Sequence, residues 1–377
     1  MRILLIADLH IGSIKDTNYT MEVLADIFEK ELKENKTDAV IFLGDYFHKS
    51  FRVNEDHTKL AINIMSYLVL LCKQNDTKIR FIYGTESHDA NQYHLFNHYL
   101  KSNDVDIKII HTVTDEELFP NMNVLYIPEE YVINKDTYYK IYFNKHYNFI
   151  FGHGVIIEGM PMVNFSKTAH NEKKVPHFKS GELSKISDIC IFGHYHQFTS
   201  LEDEVYYLGS LFRDSFGEEE PKGYGIIENN KFEFIENKKA YIYKTYTFEE
   251  DSVIFKNSDN IIKEVNKIKK ENKNIFNEKD KGKIRIIIKL PKDIDSVFKE
   301  NLRSILFNEK FIVPLIKDNS YDLINEIQET INTEYEFILD NSLPVIDKIH
   351  RYINKNYDIN LSINDIKKYI NEEFKFK

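Results

Sequence analysis

The fold is decided by the segment AVIFLGDYFH, which occupies residues 39–48. It opens with an apolar run, passes through a glycine, and closes with an aspartate and a histidine among aromatic residues. A short, continuous apolar run is typical of a strand that is covered on both faces of its sheet. The polar residues that follow it are therefore expected at a sheet edge, where loops converge and ligand sites form.

The same arrangement recurs along the chain, each time with carboxylate or imidazole side chains near the end of an apolar run. The segments that carry it are Asp8-Leu9-His10, Gly44-Asp45-Tyr46-Phe47-His48, Ser87-His88-Asp89, Gly152-His153 and Gly193-His194-Tyr195-His196. Carboxylates and imidazoles together suit Mn, Fe or Zn better than Ca or Mg. One such segment is a weak signal, but the whole series in order predicts a two-metal centre of the kind that hydrolyses phosphoesters.

Strands and helices alternate over the first two hundred residues, which predicts an α/β sheet covered on both faces. The predicted strands are 2–7, 39–43, 79–83, 107–111, 124–127, 149–151 and 189–192, and the predicted helices are 19–35, 55–74 and 135–146. Residues 205–208, 223–228 and 231–235 are predicted to form a meander, with Asn229-Asn230 as a two-residue hairpin turn.

Composition limits the class of protein. The chain has 377 residues, 42% hydrophobic and 29% charged, which fits two or three globular domains. No apolar run approaches the ~20 residues that span a bilayer, and no signal peptide precedes Asp8, so we expect a cytoplasmic protein. The net charge of −10 argues mildly against a surface that binds DNA strongly, without excluding one. Cys72 and Cys190 lie in apolar stretches and are expected to be buried free thiols.

Spacing assigns some roles within the predicted centre. Two divalent ions ~4 Å apart need a carboxylate that bridges them. Asp45 follows a strand and a glycine that lets the backbone turn closely, so it is the natural bridge. Asp8 and His10 are two residues apart, so we expect both to face the centre only if the strand has ended and the chain is turning. His194 and His196 have the same spacing.

These segments resemble the calcineurin-like metallophosphoesterase superfamily, whose pattern is D-x-H, G-D, G-N-H-D, G-H and G-H-x-H. The resemblance covers about residues 1–215 and implies a four-layer α/β/β/α sandwich. Within the superfamily the chain is most similar to the nuclease subunit of the SbcCD type, the meiotic-recombination-type DNA repair exonuclease. Residues 44–48 resemble that family's G-D-L-F-H. Residues 209–223 resemble its G-S-x-x-R…F…K-G segment, although a structural turn explains residues 209–213 equally well.

The resemblance also assigns metal ligands and catalytic residues. It implies two divalent metal ions, Mn²⁺, held by two ligand sets. The implied ligands are Asp8, His10, Asp45 and His196 for one ion, and Asp45, the third-motif residue, His153 and His194 for the other. His88 would protonate the leaving oxygen or stabilise the charge of the transition state. His48 would help to place the substrate or His88, and Asp89 would orient His88.

The third motif departs from the family pattern. Where the family has Gly-Asn-His-Asp, with the Asn binding metal, this chain has GTESHD at residues 84–89. The loop is two residues longer, and Ser87 stands at the Asn position. Either Ser87 binds the metal directly, or Glu86 or Asn91 substitutes, or water completes the shell. Because a hydroxyl is a poorer neutral ligand than an amide carbonyl, the second ion is expected to bind more weakly.

The remaining chain fits the domain plan of the family. Residues 1–245 are predicted to be the nuclease domain, 246–320 a small α/β capping domain, and 321–377 a helical region that binds a partner. Apolar residues in this last region have a spacing suitable for amphipathic helices: Phe337, Ile338, Leu343, Val345, Ile346, Ile349 and Ile353. Docking on the coiled-coil base of an ATPase and packing against the chain's own cap both explain that spacing.

Together, the motifs and the resemblance predict an Mn-dependent DNA nuclease subunit that acts in DNA end processing, repair or recombination. The resemblance implies a 3′-to-5′ exonuclease on duplex DNA and an endonuclease on single strands. Its implied partners are DNA and an SMC-like coiled-coil ATPase of the SbcC type, with two copies of each subunit and no membrane, in a bacterial or phage-infected cell. The alternatives are a phosphoesterase acting on nucleotides, cyclic nucleotides or phosphoproteins, and a DNA-end-binding scaffold with weak catalysis.

Overall fold

The computed structural model describes most of residues 1–317 and isolated residues beyond them. The residues that it leaves undescribed are 53–54, 90–91, 103, 160–174, 203, 278–280, 292–293, 308, 318–347, 349, 351–361 and 363–377. Asn91 and almost all of the predicted partner-binding region, 321–377, therefore lie outside the described residues.

The described residues form seventeen strands. They are β1 (Arg2–Ile6), β2 (Ala39–Leu43), β3 (Lys78–Ile82), β4 (Ile107–Ile110), β5 (Thr114–Phe119), β6 (Met122–Ile127), β7 (Tyr147–His153), β8 (Val155–Ile156), β9 (His177–Phe178), β10 (Ser187–Gly193), β11 (Thr199–Ser200), β12 (Val205–Tyr207), β13 (Gly223–Glu228), β14 (Lys231–Glu236), β15 (Ile242–Phe248), β16 (Gly282–Lys289) and β17 (Ile312–Lys317).

Helices connect these strands. The α-helices are α1 (Thr17–Phe28), α2 (Asp56–Asn75), α3 (Glu86–Asp89), α4 (Asn97–Ser102), α5 (Lys135–Phe143), α6 (Ser180–Leu183), α7 (Ser258–Glu271), α8 (Lys273–Phe276) and α9 (Ser296–Phe307). A π-helix, Glu29–Glu34, continues α1, and short 3₁₀ turns lie at Gln92–Phe96, Ile157–Gly159, Ser184–Ile186 and Val253–Lys256. Asp16 caps α1, because its carboxylate accepts the N–H of Tyr19 at 3.0 Å.

Two six-stranded sheets contain most of the strands. The first has the order β14-β13-β1-β2-β3-β4, in which β1 to β4 are parallel and the β13–β14 hairpin is antiparallel. The second has the order β11-β12-β10-β7-β6-β5, with parallel strands in the middle and an antiparallel strand at each edge. The predicted α/β class is confirmed, and the parallel strands bring their carboxyl ends together at one edge of each sheet.

Successive residues of the strands enter different hydrophobic clusters. In β1, Leu4 and Ile6 pack in a cluster with residues of α1 and α2, whereas Ile3 and Leu5 pack with the second sheet. A third cluster joins the second sheet to residues of α5 and α6, and it includes the buried free thiol of Cys190. Because neighbouring side chains of a strand point to opposite faces, both sheets are buried on both sides. The prediction of buried free cysteines is confirmed, since Cys72 is also buried and unbridged.

The predicted meander is wrong. Strand β12 lies in the second sheet beside β10, whereas β13 and β14 lie in the first sheet. The reason is that β13 is buried on both faces, with Ile226 in the cluster that includes α1 and Ile227 in the cluster between the sheets, so it pairs with β1. The predicted hairpin turn is present, and Asn229 and Asn230 have φ values of 51° and 61°. Those left-handed conformations are what a type I′ turn requires.

One buried ionic contact connects the two sheets. Arg80 of β3 is fully buried, and its guanidinium donates to both carboxylate oxygens of Glu116 of β5 at 2.9 and 2.8 Å. It also binds the carboxylate of Asp106 at 3.1 and 2.9 Å. Burial opposes ionisation of these acids, but the guanidinium more than compensates, so the pKa values of both carboxyl groups are lowered to about 2.

Replacing Glu116 by Gln should destabilise the protein by about 3 kcal/mol at pH 7, because one partner of a buried ion pair is lost. The lowered pKa of Glu116 decides how its contribution to stability depends on pH. The ionised carboxylate stabilises the fold fully above pH 4.5, the ordinary pKa of Glu, and this stabilisation is lost as the pH falls towards 2. Denaturant unfolding of both proteins at pH 7 and pH 3, in a chelator, measures this difference. Glu117→Gln, at the exposed neighbouring acid, is the control; an equal effect of both substitutions would contradict the prediction.

The described residues fall into two compact units. The first contains residues 1–245 and 271–285, and the second contains the described residues of 246–270 and of 286 onward. Within the second unit, α9 buries Phe298, Leu302 and Leu306, and Lys269 forms an ion pair with Glu309. Among the described residues, no helix has the length and apolar character needed to span a membrane.

Candidate metal centre

The carboxyl ends of strands from both sheets supply the candidate centre. In the first sheet β1, β2 and β3 end side by side, and in the second sheet β7 and β10 end with Gly193 opposite His153. Contacts between the sheets bring these ends together: the ring of His153 binds the carbonyl of Leu43, and the N–H of His194 binds the carboxylate of Asp8. The segments selected from the sequence therefore meet at one place.

Tight turns after β1 and β2 place Asp8, His10 and Asp45. The two segments continue side by side, with the N–H of Asp8 bound to the carbonyl of Gly44 at 3.3 Å and the N–H of His10 bound to the carbonyl of Asp45 at 3.0 Å. Asp8, His10 and Asp45 have φ values of 47°, 44° and 47°. A left-handed backbone costs a non-glycine residue roughly 1 kcal/mol, and such strain is concentrated at functional sites. The chain is indeed turning at Asp8 and His10, as their spacing required.

Two glycines allow the loops to approach one another. Gly44 has a φ of +80°, and a Cβ atom there would lie 2.2 Å from Nδ1 of His153. A Cβ atom on Gly84 would lie 2.2 Å from the backbone nitrogen of Asp45. Any side chain at either position would displace a residue of the centre, so both positions require glycine.

Site A is the cluster of Asp8, His10 and His196, whose candidate ligand atoms all lie within 4.8 Å of one another. Nε2 of His10 lies 3.0 Å from Nε2 of His196, and Oδ2 of Asp45 lies 3.8 Å from Nε2 of His10. With bonds of about 2.0–2.1 Å, adjacent ligand atoms of one cation are roughly 3.0–3.4 Å apart. The separation of the two ring nitrogens therefore fits a single bound cation.

Site B is the cluster of Asp45, His153 and His194, with ligand atoms again within 4.8 Å of one another. Nε2 of His153 lies 3.4 Å from Oδ1 of Asp45. Nδ1 of His153 donates to the carbonyl of Leu43 at 2.7 Å, so Nε2 is the ring nitrogen that would give up its proton and bind a metal. Because one oxygen of Asp45 approaches each site, its carboxylate is placed to bridge two ions.

Burial and the surrounding charges set the protonation of these ligands. Burial lowers the pKa of His10 to about 3, and burial together with His153 lowers that of His194 to about 4. Burial raises the pKa of Asp8. Burial also opposes protonation of His153, but the Asp45 carboxylate prevails and raises its pKa to about 10. Imidazoles that are neutral at pH 7, as those of His10 and His194 are, keep the lone pairs that a metal ion needs.

His48 and His88 lie beside site A. One ring nitrogen of each lies within 4.8 Å of a ring nitrogen of His10. Nδ1 of His88 donates to the backbone carbonyl of His48 at 2.5 Å, which leaves Nε2 of His88 free to face a substrate. The two predicted catalytic histidines are therefore brought together, next to the ligands but outside sites A and B.

The contacts described for Asp89 differ from the predicted contact with His88. Its carboxylate accepts the N–H of Gly84 at 2.7 Å, the N–H of Phe47 at 3.2 Å and the hydroxyl of Tyr93 at 3.1 Å. Burial, with a contribution from nearby Asp45, raises the pKa of this carboxyl group to about 7. Asp89 thus holds together the loops of the second and third motifs, while the carbonyl of His48 orients the His88 ring.

The third-motif loop brings Thr85 to the centre. Ser87 and Glu86 are exposed on the single turn of α3, which accommodates the two extra residues. The hydroxyl of Thr85 lies 3.4 Å from Oδ2 of Asp45 and 3.5 Å from Nε2 of His153, and its N–H donates to Oδ1 of Asp45 at 2.6 Å. Ser87, the predicted ligand, is exposed, and none of the contacts described for the chain joins it to Asp45, His153 or His194.

Glu129 belongs to the centre and was missed by sequence reasoning. It follows β6, and its N–H donates to the carbonyl of Tyr83 at 3.1 Å. Its side chain is 4% exposed, and its Oε2 lies 3.4 Å from Nδ1 of His194 and 4.0 Å from Nε2 of His153. A signal was present in the sequence, because β6, like β1 and β2, is an apolar run followed by a carboxylate.

The segment at residues 209–223 supports His196. The buried Lys222 donates from Nζ to the backbone carbonyl of His196 at 2.7 Å and forms an ion pair with Glu218 at 2.6 Å. The other oxygen of Glu218 lies 3.6 Å from Nδ1 of His196. Arg213 donates to backbone carbonyls of neighbouring segments and so fixes the loop. The segment therefore holds a predicted ligand in place rather than forming only a turn.

Replacing Glu218 by Gln should weaken divalent-metal binding at site A by about 10- to 100-fold, because a carboxylate behind a ligating histidine orients the ring and increases its basicity. Calorimetric titration of the metal-free protein with Mn²⁺ measures this change. Glu220→Gln, in the same loop, is the matched control and should bind like the wild type. Unchanged affinity in Glu218→Gln would show that Lys222 alone holds His196.

Comparisons with known proteins give one family match. The sequence profile described as calcineurin-like phosphoesterase matches residues 1–198. No curated protein matches the sequence. One similar solved structure shares 11% identity, with an alignment that covers 62% of this chain and 98% of that one at a TM-score of 0.35. A similarity this weak says nothing about the function of this chain.

Proposed function

Since this chain belongs to the calcineurin-like phosphoesterase family, we propose that it is a two-metal phosphodiesterase whose substrate is DNA. Sites A and B would hold the two divalent ions, with Asp45 between them. When bound, such ions neutralise the charge of the phosphate and activate water for in-line attack. We propose Mn²⁺ as the ion, which suits the mixed carboxylate and imidazole ligands.

The observation that carries the proposal is the position of His48 and His88. Cleavage of a DNA phosphodiester expels a sugar alkoxide, a poor leaving group that must receive a proton. The His48 carbonyl binds Nδ1 of His88, so the proton that His88 would donate is the one on Nε2, and the ring lies beside His10 of site A. His88 is the proposed acid, and His48 holds it in that orientation.

The finer features of the proposal extend the family assignment. We propose that the first unit is the four-layer α/β/β/α sandwich, which the three hydrophobic clusters support. We also propose an SMC-like coiled-coil ATPase as the partner of residues 321–377, in an assembly with two copies of each subunit. The support for this partner is the similarity of residues 44–48 and 209–223 to the SbcCD-type nuclease subunit.

The experiment that tests the proposal compares substrates. End-labelled duplex DNA, circular single-stranded DNA, nucleotides and bis-p-nitrophenyl phosphate are each incubated with the full chain and Mn²⁺, Mg²⁺ or EDTA. We expect Mn²⁺-dependent cleavage of DNA and of the p-nitrophenyl diester. Hydrolysis of nucleotides much faster than of DNA would replace the proposal by a small-substrate phosphoesterase. Absence of both bound metal and turnover would replace it by a scaffold.

A further inference from the structure

We propose that the carboxylate of Glu129 is a protein ligand of site B, in the role that the sequence assigned to the third motif. This inference rests on the proposed two-metal function and specifies one of its ligands. It follows from the position, the surroundings and the backbone support of Glu129, each of which points to a bound cation.

The distances place the carboxylate of Glu129 beside the residues of site B. Its Oε2 lies 3.4 Å from Nδ1 of His194, and Nε2 of His153 lies 3.4 Å from Oδ1 of Asp45. Both separations match the roughly 3.0–3.4 Å expected between adjacent ligands of one cation with bonds near 2.1 Å. Oε2 of Glu129 is 4.0 Å from Nε2 of His153, which is compatible with a wider angle at the same ion. The Glu129 carboxylate is therefore close enough to both imidazoles of site B to share a cation with them.

The surroundings of Glu129 call for a cation. Its side chain is 4% exposed, and the ion-pair contacts described for it are with the imidazoles of His153 and His194. A buried carboxylate is costly unless it is paired or coordinates a metal. His153 also approaches Asp45, so the rings of His153 and His194 face two buried carboxylates rather than one. A shared divalent ion would satisfy all the groups at once.

The backbone fixes Glu129 in this position. Its N–H donates to the carbonyl of Tyr83 at 3.1 Å, which ties the end of β6 in the second sheet to the end of β3 in the first. β6 also pairs in parallel with β7, with Ile127 opposite Gly152, so Glu129 follows β6 beside the strand end that carries His153. Because sites on strand ends are more precise than sites on free loops, this placement suits a metal ligand.

Thr85 acts as a positioning residue for this ligand. Its hydroxyl lies 3.3 Å from Oε2 of Glu129 and 3.4 Å from Oδ2 of Asp45, between the two carboxylates. A hydroxyl there can donate to one carboxylate at a time and keep the two apart when no metal is bound. The third motif departs from the family pattern at this point of the site. The short side chain of Thr85 leaves room beside Asp45 for the carboxylate of Glu129, which comes from the other sheet.

The test measures metal binding and needs no turnover. Metal-free full-length protein is titrated with Mn²⁺ by calorimetry, and the bound ions are counted by elemental analysis after dialysis. The wild type should bind two ions per chain. Glu129→Ala should keep the ion at site A and weaken the second by at least about 100-fold, since the loss of an outer partner alone costs about 10- to 100-fold. Glu129→Gln, which keeps the size and one neutral oxygen, should lie between them.

Matched variants and a spectroscopic readout separate the possible outcomes. Glu130→Gln removes the adjacent carboxylate, which binds the hydroxyl of Tyr138 at 2.5 Å, and should retain both ions. The electron paramagnetic resonance spectrum should change from that of a coupled Mn²⁺ pair to that of an isolated ion in Glu129→Ala. Two ions with wild-type affinity in both Glu129 variants would overturn the inference while the two-metal function stands. A wild type that binds no metal would overturn the proposed function itself.

Discussion

Replacing Asp45 by Asn should remove both metal ions from the protein and reduce phosphodiester hydrolysis by roughly 10³-fold or more. Two bound cations stabilise the transition state by several kcal/mol, and each 1.36 kcal/mol corresponds to a factor of ten in rate. The expectation follows from the position of Asp45, whose Oδ1 lies 3.4 Å from Nε2 of His153 and whose Oδ2 lies 3.8 Å from Nε2 of His10. No other carboxylate among the described residues is shown that close to both histidines.

The substitution is suited to separating metal loss from unfolding. Asp45 has a left-handed φ of 47°, a conformation that Asn also adopts readily, so the turn should survive. Asp76→Asn is the matched control, because Asp76 has a φ of 54° but is exposed at the end of α2. Bound metal is counted by elemental analysis and activity by cleavage of duplex DNA. A variant that retains both ions would remove Asp45 as the bridge.

Replacing His88 by Ala should lower the rate of DNA cleavage by about 10²- to 10⁴-fold, the usual contribution of a general acid, with the metal content nearly unchanged. The reason is that His88 belongs to neither site A nor site B but groups with His10 and His48, and its ring is held by the carbonyl of His48. Measurement of bound Mn²⁺ and of DNA cleavage in the same preparation checks both halves of this prediction.

A comparison of two substrates with different leaving groups tests whether His88 donates a proton. A p-nitrophenolate leaves as a stabilised anion and needs no proton, whereas a sugar alkoxide does. His88→Ala should therefore lose much more activity on DNA than on bis-p-nitrophenyl phosphate. The exposed His98→Ala is the control and should behave as the wild type on both. Equal losses on the two substrates would exclude proton donation, and loss of metal would identify His88 as a ligand instead.

The sequence predicts the fold best where local patterns and burial agree. Ala39–Leu43 and Gly223–Glu228 have the predicted bounds, because each is an apolar run ended by a turn. Strand β5, Thr114–Phe119, was not predicted, since Asp115, Glu116 and Glu117 look like an exposed polar segment. Glu116 is instead neutralised by Arg80 from the other sheet, a contact between residues 36 positions apart that no local pattern shows.

In the candidate site, too, residues within local motifs were predicted and residues brought in by long-range contacts were not. Ligands carried by motifs, such as Asp8 and His194, were predicted from short segments and lie where strand ends meet. Ser87 and Glu129 show the limit. Alignment by sequence placed Ser87 at the missing ligand position, but the longer loop forms a helical turn on which Ser87 is exposed. Glu129 comes from a different strand, and only the pairing of β6 with β7 brings it near His153.

The left-handed turns at the ligands also affect how such a protein evolves. Asp8, His10, Asp45 and His194 all have positive φ values, in conformations that glycine and asparagine adopt with less strain. A glycine or asparagine at such a position would relieve backbone strain of roughly 1 kcal/mol but would remove a side chain that faces the metal centre. The ligands are thus kept at a cost in local backbone stability, which is one form of the conflict between stability and activity at a functional site.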